Sequence, residues 1–362
     1  MSDLSDCFEE LDDPRAENSV YALGDLLVLM VAASMCGASS ASEFSLFAET
    51  HMDLLNGLVA YKRAPSHDTF SRLLRILDPV AFAGVFSIFA KAFAKALRED
   101  GIVPVDHVVA IDGKSMRRAY EKGLSHCPPM TVSAFAAEAK LCLAISSTSK
   151  DNEIEAAIRV VELLDLTGKI ITADALHCHH RMAEAITKQK GDYVIALKGN
   201  RHKWLAQAEQ QFKGKTRKSS YKSSLEKSHD RAEWRKAEVV TARTACMKNH
   251  VSFIRVTTGR DQAEPHVRHY MASKLLSPQQ ALSIVRSHWQ IENNLHWMLD
   301  VNLFEDSVRA RKDNAPANHA ALKRIARNIL QTADTEKVPI SHRIKKCGWN
   351  KSYLINALSH MR

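Results

Sequence analysis

The sequence lacks the marks of several protein classes. Its seven cysteines are an odd number, and no two have Cys-x-x-Cys spacing, which argues against a disulfide framework and a zinc ribbon and fits a reducing cytoplasm. The first twenty residues carry seven acidic side chains and one arginine, so we expect no secretory leader. The longest apolar run, at 26–37, is too short to cross a bilayer. We therefore expect a cytoplasmic protein with no membrane partner.

Basic side chains are in excess, and they are concentrated in two blocks. The 362 residues carry a formal net charge of +9. Segment 198–236 holds twelve Lys and Arg against four Asp and Glu, and segment 307–362 holds twelve against three. Two basic blocks on an otherwise balanced chain indicate a polyanionic partner such as nucleic acid. The alternative is a solvated charged surface without a partner.

Residues 20–98 have helical periodicity. The predicted helices are Val20–Cys36, Ser42–Leu58, Thr69–Ile76 and 80–98. A proline breaks the chain before the third of these helices, which carries Arg72 and Arg75. We therefore predict an all-helical N-terminal domain over 1–100, in which a turn and helix could bind DNA. A plain helical bundle is compatible with the same pattern.

From about residue 104 the pattern changes to short β-branched runs. The predicted elements are strands His107–Ile111, Met130–Ala137 and Leu141–Ser146, helix Glu153–Leu166, strand Lys169–Ala173, helix His179–Lys190 and strand Tyr193–Leu197. Three hairpin-connected strands followed by helix–strand alternation is the ribonuclease-H-like arrangement, whereas a doubly wound fold would alternate from the start. We predict an α/β protein with a ribonuclease-H-like catalytic core over 101–306.

This core is predicted to carry an insertion and to be followed by a tail. Residues 198–275 are basic and polar, with strand-like runs in their second half, which indicates an inserted, β-rich subdomain. A long helix, Ser277–Leu299, follows, with a serine cap and proline at its first position. The tail, 307–362, is predicted as a basic helical segment.

Two aspartates follow predicted strands that are neighbours in this strand order. Asp112 comes after the first strand and Asp174 after the fourth, so both are expected at one edge of the sheet, where α/β folds commonly place active sites. Glu292 lies on the long helix, which can pack back toward them. Converging carboxylates are costly to bury unpaired, and divalent cations relieve that cost. Mg²⁺, with Mn²⁺ as a substitute, prefers oxygen ligands, and two such ions support in-line phosphoryl displacement.

Polar and basic side chains near these carboxylates and in the basic blocks could hold phosphate oxygens. Lys198 and Asn200 directly follow the last core strand, although the same residues suit a plain turn into the insertion. Trp289 and Trp297 are expected in the core or packed against the sheet, with base stacking as the alternative. The candidate DNA-binding residues are Arg72, Arg75, Lys114, Lys198, Asn200, His288, Arg309, Arg311 and Lys312.

Two histidine-rich patterns leave a zinc site open as an alternative. His288, Glu292 and His296 fall on one helical face, although the His-Glu-x-x-His pattern is absent. The tract at 177–180 contains three histidines and a cysteine. Adjacent residues at a strand-to-helix turn cannot all face one ion, which argues against a metal tract there.

At these residues the sequence resembles the DDE transposases, and among them the H-repeat-associated insertion-sequence group of the ISAs type. The matching segments follow one another over nearly the whole chain. They are Asp12–Arg15, Pro65–Phe70, Ala110–Lys114, Thr172–His177, Asp192-Tyr193, Leu197–Asn200, His288–Asn293, Leu295–Val301 and Glu305-Asp306. The resemblance implies a ribonuclease-H-like core, a β-rich insertion before the catalytic glutamate and a DNA-binding N-terminal region.

The resemblance also implies an activity and assigns residues to it. It implies binding of an element's terminal inverted repeats, hydrolytic release of 3′ ends and strand transfer into a target, by a homo-oligomer on double-stranded DNA at the nucleoid. It assigns metal binding to Asp112, Asp174 and Glu292, and it selects Glu292 over Glu305. A ribonuclease-H-like nuclease without strand transfer and an inactive or domesticated DNA-binding relative are the alternatives.

One signature of related transposases is altered. They carry a Tyr-Arg-Glu-Lys signature around the catalytic glutamate. Counted from Glu292, the Tyr, Arg and Lys positions hold Val285, His288 and Leu299. His288 can replace the arginine as a phosphate contact, whereas the role of the lysine is unassigned. The route of second-strand cleavage, including passage through a DNA hairpin, is therefore open.

Overall fold

A computed structural model describes residues 4–52, 63–119, 128–148, 152–214, 218–223, 226–228, 231–260, 263–334 and 337–359. The chain forms two compact units. Unit 1 comprises Met1–Val105, Gly113–Ala156 and Glu292–Arg362, and unit 2 comprises Asp106–Asp112 and Ala157–Ile291.

The described residues contain α-helices, β-strands and short 3₁₀ and π turns. The α-helices are α1 Leu4–Glu9, α2 Leu23–Met35, α3 Ala41–Thr50, α4 His67–Ile76, α5 Pro79–Glu99, α6 Glu153–Glu162, α7 His180–Lys188, α8 His202–Lys213, α9 Pro278–His288, α10 Trp297–Val301, α11 Ala315–Thr332, α12 Ile340–Trp349 and α13 Lys351–Ser359. The strands are β1 Val108–Ser115, β2 Met130–Ala136, β3 Leu141–Thr148, β4 Ile170–Ala173, β5 Asp192–Leu197, β6 Ser219–Lys222, β7 Glu226–Ser228, β8 Arg231–Thr241, β9 Ser252–Arg260 and β10 His266–Ala272.

The strands form a mixed sheet in the order β3-β2-β1-β4-β5-β10-β9-β8-β6, with β7 paired to β8. Strand β1 runs in parallel with β4, and β4 runs in parallel with β5. Strands β2 and β3 form an antiparallel hairpin. The α/β prediction is confirmed, and within the order β3-β2-β1-β4-β5 the first and fourth strands are neighbours, as predicted.

The segment predicted as an inserted subdomain instead extends the sheet of unit 2. Strand β10 lies antiparallel to β5, and β9 and β8 continue outward from it. Strands β6–β10 lie within 198–275, and they continue the core sheet because β10 pairs with the edge of β5 that the core strands leave open. The sequence pattern also missed helix α8, which buries Ala208 and Phe212 on one side beneath a basic, polar surface.

All described elements before Val105 are helices, but they do not form a compact unit of their own. They share unit 1 with Gly113–Ala156 and Glu292–Arg362, and helix α5 packs against strand β3. A separate all-helical N-terminal domain is therefore not confirmed. The second predicted helix is observed as α3, and the last part of its predicted span, 53–58, lies outside the described residues.

Helix α5 explains the one membrane-like feature of the described residues. It is long and apolar enough to cross a bilayer by length and composition alone, and 56% of its apolar window is buried inside the protein. Its phenylalanines Phe82, Phe86 and Phe89 are buried. The helix has the character of a core helix of unit 1.

Helix α11 is the largest departure from the sequence-based expectation. We predicted a basic helix open to a polyanion, yet Lys323, Arg324 and Arg327 are each at most 1% exposed. Lys323 Nζ donates to the Leu303 carbonyl oxygen at 2.5 Å, and Arg324 Nη1 lies 2.6 Å from Glu305 Oε1. Helix α11 therefore belongs to the core of unit 1. Its buried cationic side chains bind groups within the protein and not an external ligand.

Buried His319 of α11 makes unit 1 sensitive to acid. Burial, reinforced by the nearby Lys323 ammonium, lowers the pKa of His319 to about 3 against a partial opposing effect of Glu305. In the unfolded chain the pKa returns to about 6.5, so stability is fully present above that value and is lost as the pH falls toward 3. Between pH 7 and pH 5, wild type should lose about 2 kcal/mol more stability than His319→Gln. Urea unfolding at both pH values measures this, and parallel losses in both proteins would contradict it.

Candidate active site

Two of the predicted carboxylates lie at equivalent positions on adjacent parallel strands. The pairing of β1 with β4 ends at Ile111 opposite Ala173, and Asp112 and Asp174 are the next residues of each chain segment. Strand β1 itself continues to Ser115, so Asp112 lies within the strand rather than at its end as predicted. Strands β1 and β4 are parallel neighbours, as predicted, and both aspartates come directly after the last paired residues of these strands.

The carboxylate of Asp174 is fixed on one oxygen and open on the other side. Its Oδ1 accepts a hydrogen bond from the Leu176 backbone N–H at 2.8 Å, which caps the 3₁₀ turn Ala175–His177. The side chain is 45% exposed. A carboxylate oriented by one backbone donor and otherwise accessible suits a hard divalent cation such as Mg²⁺.

The turn that follows β5 is fastened to the turn that follows β4. Asn200 Nδ2 donates to the Ala175 carbonyl oxygen at 2.6 Å, and Arg201 Nε donates to the Cys178 carbonyl oxygen at 2.7 Å. Asn200 was predicted to hold phosphate, and its amide is instead seen bracing the two turns. Lys198, at the start of the braced turn, is exposed and keeps an ammonium group available for an anion.

His288, on α9 of unit 2, faces the same region of that unit. Its Nδ1 lies 3.1 Å from Thr172 Oγ1, two residues before Asp174. Burial lowers the pKa of His288 to about 4, with Asp174 opposing the shift and His177 and Lys198 reinforcing it. His288 is therefore neutral near pH 7. It can donate a hydrogen bond to a phosphate, but it does not supply the positive charge of the arginine found in related signatures.

The histidine tract at 177–180 is divided among different structural roles. His179 Nδ1 accepts from the Met182 N–H and caps helix α7, whereas His180 stacks edge-on against Trp204 at 5.3 Å. Cys178 is buried against Met271. These three side chains therefore have different partners in different parts of unit 2.

Glu292, the first residue of the later part of unit 1, begins a π-helical turn. The turn spans Glu292–His296 and interrupts the helical run between α9 and α10. Glu292 is exposed. Such single π turns are frequent at functional sites because the extra residue redirects side chains. The same turn breaks the regular spacing on which a zinc site from His288, Glu292 and His296 depended.

Two tryptophans that were expected in the core or against the sheet are partly exposed. Trp289 is 38% exposed and Trp297 is 53% exposed. The Arg268 guanidinium lies over the Trp289 ring at 4.9 Å, which accounts for part of that surface.

Buried cations of α11 hold the segment that carries Glu292. Arg327 Nη2 donates to the carbonyl oxygen of Asn294 at 2.9 Å, and Lys323 and Arg324 bind Leu303 and Glu305 as described above. Burial lowers the pKa of Arg327 to about 10, but the side chain stays charged at neutral pH. The segment from the π turn to Glu305 is therefore anchored at three points along one helix.

Glu305, the competing glutamate, is unavailable to an external ligand. It is 1% exposed, and its carboxylate lies 2.6 Å from Arg324 Nη1 and 3.4 Å from Lys114 Nζ. Burial acts to raise the pKa of Glu305, but these two cations outweigh it and hold the pKa below its ordinary value. An exposed Glu292 and a neutralised Glu305 support the choice that the resemblance made.

Lys114 was a candidate for DNA binding, and the structure gives it an internal role instead. The side chain is 7% exposed, and its Nζ lies 2.6 Å from Asp300 Oδ1 and 3.0 Å from Asp306 Oδ1. Burial acts to lower the pKa of Lys114, but the carboxylates of Glu305 and Asp300 outweigh it, so the pKa is raised. An ammonium enclosed by three carboxylates has no surface left for a phosphate.

Gly113, between Asp112 and Lys114, allows a close approach. A Cβ atom there would lie 2.7 Å from Glu153 Oε1 and 3.0 Å from Met130 Sδ. Both distances are shorter than ordinary contacts, so a side chain at this position would displace its neighbours. The absence of a side chain at Gly113 therefore lets the β1 backbone lie close to Glu153 and Met130.

The remaining basic candidates for DNA binding are exposed or half-buried. Arg72 and Arg75 are exposed on α4, and Arg309 and Lys312 are exposed after the 3₁₀ turn Glu305–Ser307. Arg75 Nε pairs with Asp313 Oδ2 at 2.7 Å. Arg311 is half-buried, with its Nε donating to the Arg118 carbonyl oxygen at 3.0 Å.

Carboxylate oxygens are the donors that hard divalent cations prefer, and the described residues contain no group of three His, Cys, Asp or Glu close enough to hold such an ion. Asp112 and Asp174 provide oxygen donors from adjacent strands, and Glu292 is accessible. The six cysteines in the described part of the chain are free thiols.

Comparisons with known proteins identify the family of the chain. The family model described as "Transposase DDE domain" matches residues 104–329, and a second, described as "DDE_Tnp_1-associated", matches 5–90. The H repeat-associated putative transposase YhhI of Escherichia coli (strain K12) is 32% identical over 360 residues, covering 94% of this chain and 93% of its own length. Putative protein YbfL of the same strain is 32% identical over 361 residues, with the same coverage.

Among solved structures, the piggyBac transposase synaptic complex with hairpin DNA aligns at a TM-score of 0.43 with 13% identity, over 100% of this chain and 78% of that chain. That score is too low to establish a shared fold. The family match covers more than half of the chain and includes Asp112, Asp174 and Glu292. The chain therefore belongs to the DDE transposase family, whose members are metal-dependent polynucleotidyl transferases.

Proposed function

We propose that this chain binds the terminal inverted repeats of a mobile element, releases their 3′ ends by hydrolysis and transfers them into target DNA. Asp112, Asp174 and Glu292 would hold the metal ions, with Mg²⁺ as the physiological ion and Mn²⁺ as its substitute. The observation that carries the proposal is the register of β1 with β4, which sets Asp112 and Asp174 immediately beyond Ile111 and Ala173.

Each protein group has a definable task in this reaction. Bound divalent ions would supply Lewis-acid stabilisation of the phosphoryl oxygens and an activated nucleophile. The Leu176 N–H keeps one Asp174 oxygen oriented. Neutral His288 is suited to donate a hydrogen bond to a phosphate, and exposed Lys198 is suited to neutralise one. The braced turns at Asn200 and Ala175 hold Lys198 in place at the end of β5.

Partners and location follow from the same proposal. Double-stranded DNA is the substrate at both the element ends and the target, and joining two ends calls for a homo-oligomer on DNA. The protein would act in the cytoplasm at the nucleoid. Solvent-facing Arg72 and Lys198, with the basic residues after Ser307, are the proposed phosphate contacts.

The test supplies purified protein with Mg²⁺ or Mn²⁺ and DNA carrying the inverted repeats that flank the gene, together with a labelled target duplex. We expect nicks at the 3′ ends of the repeats followed by joined products. Cleavage without joined products would identify a nuclease without strand transfer. Binding without cleavage in either metal would identify an inactive or domesticated relative.

A further inference from the structure

Unit 1 contains a cavity of about 510 Å³ that none of the candidate metal ligands lines. Its wall combines the start of α3 at Ser40 and the end of α4 at Arg75 with the segment Arg309–Lys312 and the buried His319 of α11. Residues some 230 positions apart in the sequence thus form one concave basic surface. A concave site with a few convergent polar groups is the usual form of a ligand site.

The basic segment at the cavity is held in an extended course by alternate anchoring. Val308 is buried in an apolar cluster with Met116 and Ala320, and Ala310 packs against the same cluster. Arg309 and Lys312 are exposed. Since Val308 and Ala310 fix the backbone, the cationic side chain of Arg309 between them is presented without the ordering cost of a free loop.

The end of α4 is tied to the same segment. The Asn314 N–H donates to the Arg75 carbonyl oxygen at 3.3 Å, and Asn314 Nδ2 donates to the Leu77 carbonyl oxygen at 3.1 Å. Asp313 turns the chain here with φ of 51°, a left-handed conformation that aspartate tolerates. Its carboxylate pairs with Arg75, so the guanidinium is oriented at the cavity rim rather than free in solvent.

The cavity wall also contains an unsatisfied polar atom. His319 is 2% exposed, and its Nδ1 has no hydrogen-bond partner among the described residues. A buried ring nitrogen without a partner costs free energy that a ligand hydrogen bond would recover. Of the acidic groups beside the cavity, Asp313 is paired with Arg75, and Glu43 accepts from the Ser39 N–H and hydroxyl. The cationic groups at the wall outnumber them.

We propose that this cavity binds a backbone phosphate of a DNA strand and anchors the DNA away from the reacting phosphodiester. The inference rests on the proposed function, because it presumes a DNA ligand. Arg309 and Lys312 would contact the phosphate oxygens directly, and Arg75 would be a positioned third cation. Phosphate contacts of this kind fix register and orientation without reading sequence.

The test compares Arg309→Ala/Lys312→Ala with the control Lys91→Ala/Lys95→Ala, which removes the same charge from exposed positions of α5 in the same unit. Binding of a duplex carrying the flanking inverted repeats is measured without divalent metal at several salt concentrations. We expect the cavity variant to bind about tenfold more weakly, with a salt slope reduced by about 1 for each lost phosphate contact. The control should bind within about twofold of wild type.

A second arm distinguishes a phosphate site from diffuse positive charge. Inorganic phosphate should displace the duplex from wild type more effectively than chloride at equal ionic strength, and this difference should disappear in the cavity variant. Equal losses in the cavity and control variants, or no phosphate effect in wild type, would overturn the inference. If wild type binds no DNA, the proposed function fails as well, whereas normal wild-type binding with an unaffected cavity variant overturns the inference alone. Unchanged thermal unfolding of both variants shows that each is folded.

Discussion

Asp174→Asn should reduce cleavage and joining of inverted-repeat DNA by about 10³-fold or more, because a ligand to catalytic metal ions contributes several kcal/mol to the transition state. The substitution is nearly isosteric, and its amide oxygen can still accept from the Leu176 N–H that Oδ1 now binds. The 3₁₀ turn should therefore persist while a metal ligand is weakened. Asp112→Asn, one residue beyond the same strand pairing, should give a loss of similar size.

Single-turnover rates of 3′-end cleavage in Mg²⁺ measure this, with DNA affinity in the absence of metal as the second readout. The matched control is Asp192→Asn. Asp192 lies opposite Ile170 at the start of β4, at the far end of the strands from Asp174, and its Oδ1 accepts from Ser273 Oγ. The control should keep nearly full activity. Near-wild-type cleavage by the Asp174 variant would remove that residue from the metal site.

Glu305→Gln should lower the free energy of unfolding of unit 1 by about 3–5 kcal/mol, the cost of leaving buried cations without their counter-ion. Arg324 is fully buried 2.6 Å from this carboxylate, and Lys114 lies 3.4 Å from it. Glutamine keeps the volume but removes the charge. The Arg324 side chain would retain only neutral partners, including Ser133 Oγ at 3.0 Å.

Urea unfolding at pH 7 measures the loss, and Glu99→Gln on α5 is the control. Glu99 is an exposed partner of Lys95 at 3.8 Å, and pairs of that kind contribute about 0–1 kcal/mol. The double variant Glu305→Leu/Arg324→Met should be less destabilised than Glu305→Gln, since it removes the buried charge together with its partner. Equal losses for the buried and the exposed glutamate would show that the buried pair contributes little.

Local sequence signals were sufficient for the core strands and the two aspartates. The β-branched runs before Asp112 and Asp174 identify strands, and the order of strands and helices determines which strands are neighbours. Glu292 has no such signal, because its helix could be oriented in several ways. Only the family resemblance distinguished it from Glu305, and the structure adds that Glu305 is already neutralised by internal cations.

The main errors came from interactions between residues far apart in the sequence. Arg324 binds Ser133 across 191 positions, so the charge of α11 looked like surface when it is core. Lys114 likewise finds Asp306 across 192 positions. The pairing of the insertion with the core sheet was missed for the same reason: whether β10 pairs with β5 depends on an open sheet edge, which no local pattern reports.

The burial of α11 has a consequence for truncated copies of the gene. A gene copy interrupted soon after the codon for Asp306 would still encode Asp112, Asp174 and Glu292, yet its product would lack the helix that neutralises Glu305 and anchors the π turn through Arg327. Such a copy would be a null allele despite an intact set of carboxylates. In a survey of genomes for elements that can still move, a reading frame that stays open to the end of α11 is therefore as informative as the codons for Asp112, Asp174 and Glu292.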